Sequence, residues 1–475
     1  MDTLIEDLRP RALHIVALVV AILVLGPTPV FRIFDEHYQA ARTAAASGQY
    51  KAAFEQIETL LAIQPDMEML HVPAAETALA AGLTQEAQQH LQVLKTSSIK
   101  SPSWSCLQAE SLIINGEIER AFEEVQLEIG ACPQLEFHLR SWILQWMEQG
   151  KYQHAEAAMI RLLGIIPSDP DLHYKYGIVT ASHDPEKALA SLRLADDLSP
   201  NGHEDAQYLI RIIEDARVAA SPAYTLGSVG QVFAGQGEWA LAIQAFQNAI
   251  AIEPTYVDAL AYLGYSLDEI GEDGIDALRA AVRVDSKQAL PHLYLGIHWL
   301  RHNNPDRALQ EFEKAARLDA DNPTIAAQIG EAYSASGDPA SAIAAYRVAA
   351  ELVPDIPTFW VLLAQMSLSH EYNIGEVALP AARNAVALNP QDPAALDALG
   401  YSHYLLGNLD DAERFIHRSI LLDPMRPVTQ YHFGMLKAIM GESDAALAAF
   451  RLAYHLDPEG WIGDIVKGYL EDGSL

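Results

Sequence analysis

His298 and His302 stand four residues apart, a spacing that would place two imidazoles on one face of a helix as paired metal ligands. Neither has a neighbouring glutamate and no third ligand is in view, so ordinary histidines are expected and no metal. Adjacent carboxylates, Asp268 with Glu269 and Asp410 with Asp411, are the other candidates for acid–base work. They fall at expected helix ends or turns, where solvation or a helix dipole accounts for them. The chain has two cysteines, Cys106 and Cys132, too few for a disulfide scaffold or a structural zinc site. It contains no GxGxxG after a strand, no GxxxxGK[ST], no HExxH and no GxSxG. The expectation is therefore no catalytic residue, no cofactor and no enzyme.

The elements around these residues are more informative. The chain has 475 residues, half of them hydrophobic, with 63 Asp+Glu against 31 Lys+Arg and a formal charge of −32. It is globular in composition. Such a charge repels phosphate backbones and no basic stripe offsets it, so nucleic acid is excluded as a partner. After a short tail, 1–11, the stretch 12–31 contains LHIVALVVAILVL and is apolar over about the length that spans a bilayer. Asp2, Glu6 and Asp7 spoil the basic start of a signal peptide, and GPTPVF is a poor cleavage site. A soluble core helix would show a polar face, which this segment lacks. An uncleaved transmembrane anchor is the preferred expectation, making the chain a single-pass membrane protein. Arginines on both sides nearly balance, and the acidic, lysine-poor bulk leans toward an extracytoplasmic placement of the chain after Phe31.

From residue 36 onward the sequence is periodic. GEWALAIQAFQNAIAIEP at 237–254 returns as GDPASAIAAYRVAAELVP, GNLDDAERFIHRSILLDP and GESDAALAAFRLAYHLDP. Aligned on the closing proline or its substitute, successive copies are spaced by 32 to 36 residues, most often 34, apart from one step of 54 between Pro200 and Pro254. A fixed period of this size belongs to a stacked array. Within 223–254, Leu226, Val229, Gly230 and Phe233 mark one face of a first helix, AGQG breaks it, and Ala242, Phe246 and Ala249 mark a second. Small residues at Gly230, Ala242 and Ala249 let the two helices approach, and Phe246 fills the space between them.

This code resembles the tetratricopeptide repeat (TPR) family, strongly over 221–458 and more loosely before it. The resemblance implies an all-α, right-handed α-solenoid of about twelve helix-turn-helix repeats. The expected organisation is a first block at 36–200 of about five repeats, an inserted helix at 201–220, a second block at 221–458 of about seven, and a capping helix at 459–475. In 202–220, Tyr208, Leu209, Ile212 and Ile213 form one apolar face; a degenerate repeat is the alternative. Around HEYNIGE the inter-helix turn carries two extra residues. Cys106 and Cys132 come to one end of one repeat, where they could pair in an exported domain; two separate thiols are the preferred expectation.

The family also implies a concave groove lined by first-helix positions that do not pack. Here these are Tyr224, Gln231, Asp258, Tyr262, Tyr265, Asp268, Tyr294, Gln328, Glu331, Gln365, Asp397, Tyr401, Tyr404, Tyr431 and His432. The Lys and Asn set with which family members clamp a C-terminal carboxylate is missing. Tyrosine recurs, with scattered carboxylates that suit neutral or basic protein or peptide segments, although each tyrosine could equally pack between repeats. The expected function is a membrane-tethered interaction scaffold that binds protein partners in this groove. The alternatives are a non-catalytic binding subunit of a membrane enzyme assembly, for envelope polysaccharide synthesis or protein export, and a structural spacer with an empty groove.

Overall fold

The computed structural model describes residues 29–96, 102–115, 117, 120, 133–219 and 221–472. Among them are 25 α-helices and no strand. The chain divides into two compact units, one ending at Asp215 and the other beginning at Ala216.

The first unit contains α1 (Pro29–Ala46), α2 (Tyr50–Ile63), α3 (His71–Ala80), α4 (Thr84–Thr96), α5 (Pro102–Ile114), α6 (Pro133–Glu148), α7 (Tyr152–Leu163), α8 (Pro170–Ala181) and α9 (Pro185–Leu198). At its end α10 (Glu204–Arg217) reaches the boundary. Leu209 and Ile213 of α10 are buried, as its amphipathic spacing demands, whereas Tyr208 is 45% exposed and leaves the expected face. Polar bonds fasten α10 to α9. Asp196 accepts from the His203 N–H at 2.9 Å and the Gln207 amide at 2.8 Å, and Arg193 meets Glu214 at 2.5 Å.

The second unit is a run of helix pairs. Its first helices are α11 (Pro222–Gly235), α13 (Val257–Glu269), α15 (Ala289–Arg301), α17 (Pro323–Ala335), α19 (Pro357–Ser369), α21 (Pro393–Leu405) and α23 (Pro427–Ile439). Their partners are α12 (Trp239–Ile252), α14 (Ile275–Val284), α16 (Pro305–Leu318), α18 (Pro339–Leu352), α20 (Leu379–Leu388), α22 (Leu409–Leu422) and α24 (Ser443–Leu456), and α25 (Trp461–Asp472) comes last.

Local chemistry sets the ends of these helices. Proline opens α11, α16, α17, α18, α19, α21 and α23, where its fixed φ suits a first turn and its missing N–H costs nothing. Before several of them an Asx or Ser side chain caps the orphan amides: Asp338 accepts from the Ser341 N–H at 3.1 Å, and Ser221 from that of Tyr224 at 3.2 Å. The turn inside each pair needs a left-handed residue, supplied by glycine at Gly237 (φ 77°) and Gly407 (φ 80°) and by Asn303 (φ 52°) in the α15–α16 pair. In the longer HEYNIGE turn the extra residues become Glu371 and Asn373, both left-handed, and a π-helical stretch at Ile374–Ala378.

The helices of a pair meet at the small residue anticipated from the period. A methyl placed on Gly230 would lie 2.6 Å from the Phe246 ring, and one on Gly434 2.5 Å from that of Phe450. Both phenylalanines are fully buried, each contributing about 1.5–3 kcal/mol by the usual value for a buried aromatic.

Two expectations are corrected here. Cys106 is disulfide-bonded rather than a separate thiol; Cys132, the only other cysteine in the chain, lies outside the described residues. No helix among the described residues is long and apolar enough to cross a membrane, which overturns the single-pass assignment and the extracytoplasmic placement of the repeats. Residues 12–28 of the expected anchor lie outside the described residues. Its last three begin α1, which buries Phe34 and Ala41 on one face and carries Asp35, Glu36 and Arg42 elsewhere. That is the pattern of a helix packed on protein.

Gly230→Ala is expected to destabilise the second unit by about 1–3 kcal/mol, the usual cost of overpacking, although alanine is the better helix former. Denaturant unfolding with hydrogen exchange at α11 and α12 measures this; an unchanged or raised stability would remove the steric role of the glycine. Thiol labelling of the denatured, unreduced chain should leave Cys106 unmodified, and complete labelling without reductant would contradict the bond.

Candidate functional site

The first helices of the second unit carry all fifteen groove positions, and the structure sorts them into different environments. In the earlier repeats the tyrosines pack on one another. The Tyr262 ring stacks on Phe246 with centroids 5.5 Å apart and meets Tyr294 edge-on at 5.2 Å; Tyr265 stacks on Tyr294 at 4.6 Å. Arg301 lies over Tyr265, 5.4 Å from its centroid, and also bonds Glu269. Burial and the Glu269 carboxylate push the Tyr265 hydroxyl up to about 12, while burial and the Tyr262 hydroxyl raise Tyr294 further. These three are half-buried packing residues with an edge outward. Asp258 is half-buried beside them, its carboxyl raised by desolvation. Tyr224, 46% exposed, keeps an open face, with its ring 6.5 Å from Tyr256. Gln231 is exposed, Gln328 is part-buried, and exposed Glu331 accepts from the Gln328 amide at 3.2 Å.

Two of the carboxylates are already matched inside the protein. Asp268 on α13 accepts from His298 Nδ1 on α15 at 2.9 Å, both side chains 3% exposed. Asp397 on α21 accepts from His432 Nδ1 on α23 at 3.0 Å, also buried. Each pair ties the first helices of successive repeats, and removing one partner would leave the other buried without its match on the next repeat. His302 does not join His298 as a ligand; its Nδ1 bonds the His298 carbonyl at 2.9 Å. Ligand atoms of Asp268, Asp273 and His298 do lie within 4.8 Å of one another. Both carboxylates already have donors, since Asp268 also takes the Gly274 N–H at 3.0 Å and Asp273 takes that of Ile275 at 3.0 Å. Asp410 and Asp411 sit in the first turn of α22, where Asp411 meets Arg414 at 3.0 Å, as expected of solvated carboxylates at a helix start.

The later repeats open into a cavity of about 790 Å³ lined by α19, α21, α23 and α25, with Tyr346 of α18. Five groove positions converge on it: Gln365, Asp397, Tyr401, Tyr431 and His432. Tyr401 stacks flat on His432, 3.7 Å between centroids, and lies 5.6 Å from the parallel ring of Tyr404. Burial raises the Tyr401 hydroxyl, and burial with Tyr469 beside it pushes Tyr431 up to about 12. Met425, Arg426, Trp461 and Ile465 also line this cavity and were absent from the sequence-derived set. They lie in the turn before α23 and in α25, outside the first-helix positions that the resemblance supplies. A tryptophan, Trp461, at the start of the last helix was the available signal.

Family models for the tetratricopeptide repeat match residues 300–366, and residues 271–323 with 376–420. Residues 271–366 and 376–420 carry tetratricopeptide repeats. Superkiller protein 3 of Schizosaccharomyces pombe is 23% identical over 314 residues, 62% of this chain and 21% of that protein. Anaphase-promoting complex subunit CDC16 of Saccharomyces cerevisiae is 24% identical over 188 residues, 38% of this chain and 22% of its own. The chain thus spans about a fifth of the length of these relatives. Among solved structures, the APC/C hetero-tetramer Cut9-Hcn1 aligns with a TM-score of 0.40 at 16% identity, over 96% of this chain and 93% of that one.

Tyrosines whose folded pKa is raised stabilise the fold below the unfolded value of about 10, and that contribution is lost as pH climbs through the folded value. For Tyr265 and Tyr431 this places a loss of stability between about 10 and 12. Tyrosinate absorbance followed together with helical circular dichroism should show these hydroxyls ionising late and with unfolding; ionisation near 10 in a folded chain would contradict their burial.

Proposed function

We propose that this chain is a protein-interaction scaffold that holds partner segments against the face built by the first helices of its repeats. The observation that carries this is the cavity of α19, α21 and α23, where Gln365, Tyr401 and Tyr431 from three successive first helices meet. A cleft of that size, with aromatic walls and a few polar atoms, suits several residues of a bound chain. Tyr401 and Tyr431 offer apolar area with a hydroxyl at low entropic cost. The Saccharomyces cerevisiae relative is by name a complex subunit, in keeping with an assembly role. No catalysis is assigned to the chain.

The charge of the partner depends on which carboxylates remain free. Asp268 and Asp397 are matched by His298 and His432, so a basic segment has only Asp258 and Glu331 to meet in the set, and we propose a segment that is not strongly basic. We also propose the division into a five-repeat block at 36–200, an inserted helix at 201–220, a seven-repeat block at 221–458 and a cap at 459–475.

A photo-crosslinking amino acid placed at Gln365, Tyr401 or Tyr431 is expected to capture discrete partner proteins in cells. The same group at Arg347 or Arg383, exposed on the second helices α18 and α20, should capture none of them. Equal capture from both faces, or none from the first helices, would remove the scaffold function from this face.

A further inference from the structure

We infer that the cavity bounded by α21, α23 and α25 receives an internal acidic residue of a partner segment, its carboxylate on Arg426 and apolar neighbours on either side. This rests on the scaffold function proposed above and specifies the partner's chemistry at that site.

The charged groups lining the cavity are unequal. Asp397 is bonded to His432 at 3.0 Å. Asp457 accepts from the Ile462 N–H at 3.2 Å and so caps the start of α25. Glu371 is exposed to solvent. Arg426 is part-buried in the wall, and its Nε is shut off from solvent with no hydrogen-bond partner among the described residues. Among the described residues, Arg426 supplies the one arginine nitrogen that is buried without an acceptor. Desolvating a guanidinium N–H without a partner is costly, and the guanidinium of Arg426, which no carboxylate of the described residues engages, matches the two oxygens of a carboxylate by its planar fork of donors. Arg426 is also the N-cap of the 13-residue α23 and makes no side-chain cap. The first amides of that helix add positive potential at the same spot.

The apolar lining decides between an internal acidic residue and a chain end. Leu362, Met366 and Tyr401 belong to α19 and α21, on one side of Arg426 in the stacking order; Trp461 and Ile465 belong to α25, on the other. Trp461 is 59% exposed and Ile465 41%, so no other described residue covers this second wall. A terminal carboxylate would leave one wall bare. An acidic residue flanked by large apolar residues covers both.

The test uses the full chain and fluorescent peptides capped at both ends, with a central Phe-Glu-Leu or Phe-Gln-Leu, read by anisotropy. A third peptide has Gln inside and a free C-terminal carboxylate. The Glu peptide should bind wild type about tenfold more tightly than the Gln peptide, a difference of about 1.4 kcal/mol. Arg426→Gln should bring the two peptides level at an unchanged melting temperature, and Arg426→Lys, which keeps charge without the fork, should retain part of the preference. Equal binding of the Glu and Gln peptides to wild type overturns the Arg426 assignment while leaving the scaffold function standing. Preference for the free-carboxylate peptide, or a Glu preference that survives Arg426→Gln, also overturns it. So does binding of none of the peptides, and if crosslinks at Tyr401 are then absent too, the scaffold function falls with it. Light scattering in parallel covers a second copy as occupant; self-association abolished by Arg426→Gln would replace the partner segment with that copy.

Discussion

A bare Cα facing a large side chain is the contact on which the helix pairs of the second unit depend, apart from α19 and α20, where Ala364 takes the place of the glycine. At Gly230 and Phe246, and again at Gly434 and Phe450, the first helix offers hydrogen where any other residue would offer a carbon, and the second helix fills the gap with a ring. Where the aromatic is replaced the geometry persists, with Ile416 opposite Gly400 and Leu278 opposite Gly264. Close packing makes this exacting. A void would forfeit dispersion contacts over the whole ring, and an added methyl has nowhere to go. With the two helices held at that distance, the remaining faces of the first helix are directed by geometry alone.

Those faces explain why the tyrosines do two jobs. A half-buried tyrosine packs its ring on the neighbouring repeat and keeps its edge outward, so the Tyr262, Tyr265 and Tyr294 cluster both joins repeats and forms surface. The buried carboxylate–imidazole pairs play the corresponding polar part. Asp268 with His298, and Asp397 with His432, join first helices of adjacent repeats through charge-assisted bonds in low dielectric. A repeat array is stable only through its neighbour interfaces, and these bonds lie in two of them.

Electrostatics then divides the surface. The chain as a whole is strongly acidic, which favours solubility and discourages polyanions. At the far end of the second unit the same chain builds a cavity where two acids are matched internally and one arginine is not. Local charge at that cavity is set by which partners the fold brings together, and the net charge of the chain says nothing about it.

The period, the turn positions, the closing prolines and the glycine–aromatic code were legible in the residues because each acts within some 34 positions and through sterics alone. The apolar run at 12–31 reads as a membrane span from hydropathy, yet its end belongs to α1, whose burial of Phe34 and Ala41 appears only when the helix is packed. Likewise Asp268 and Asp397 read as groove carboxylates because their histidines stand 30 and 35 residues away, on the next repeat. By itself the sequence determined the helices, their pairing and the spacing of the stack, all short-range properties of a repeating chain. Only the tertiary structure decided which tyrosines pack, which carboxylates are matched and which buried arginine nitrogen lacks an acceptor, because those outcomes depend on distances between repeats.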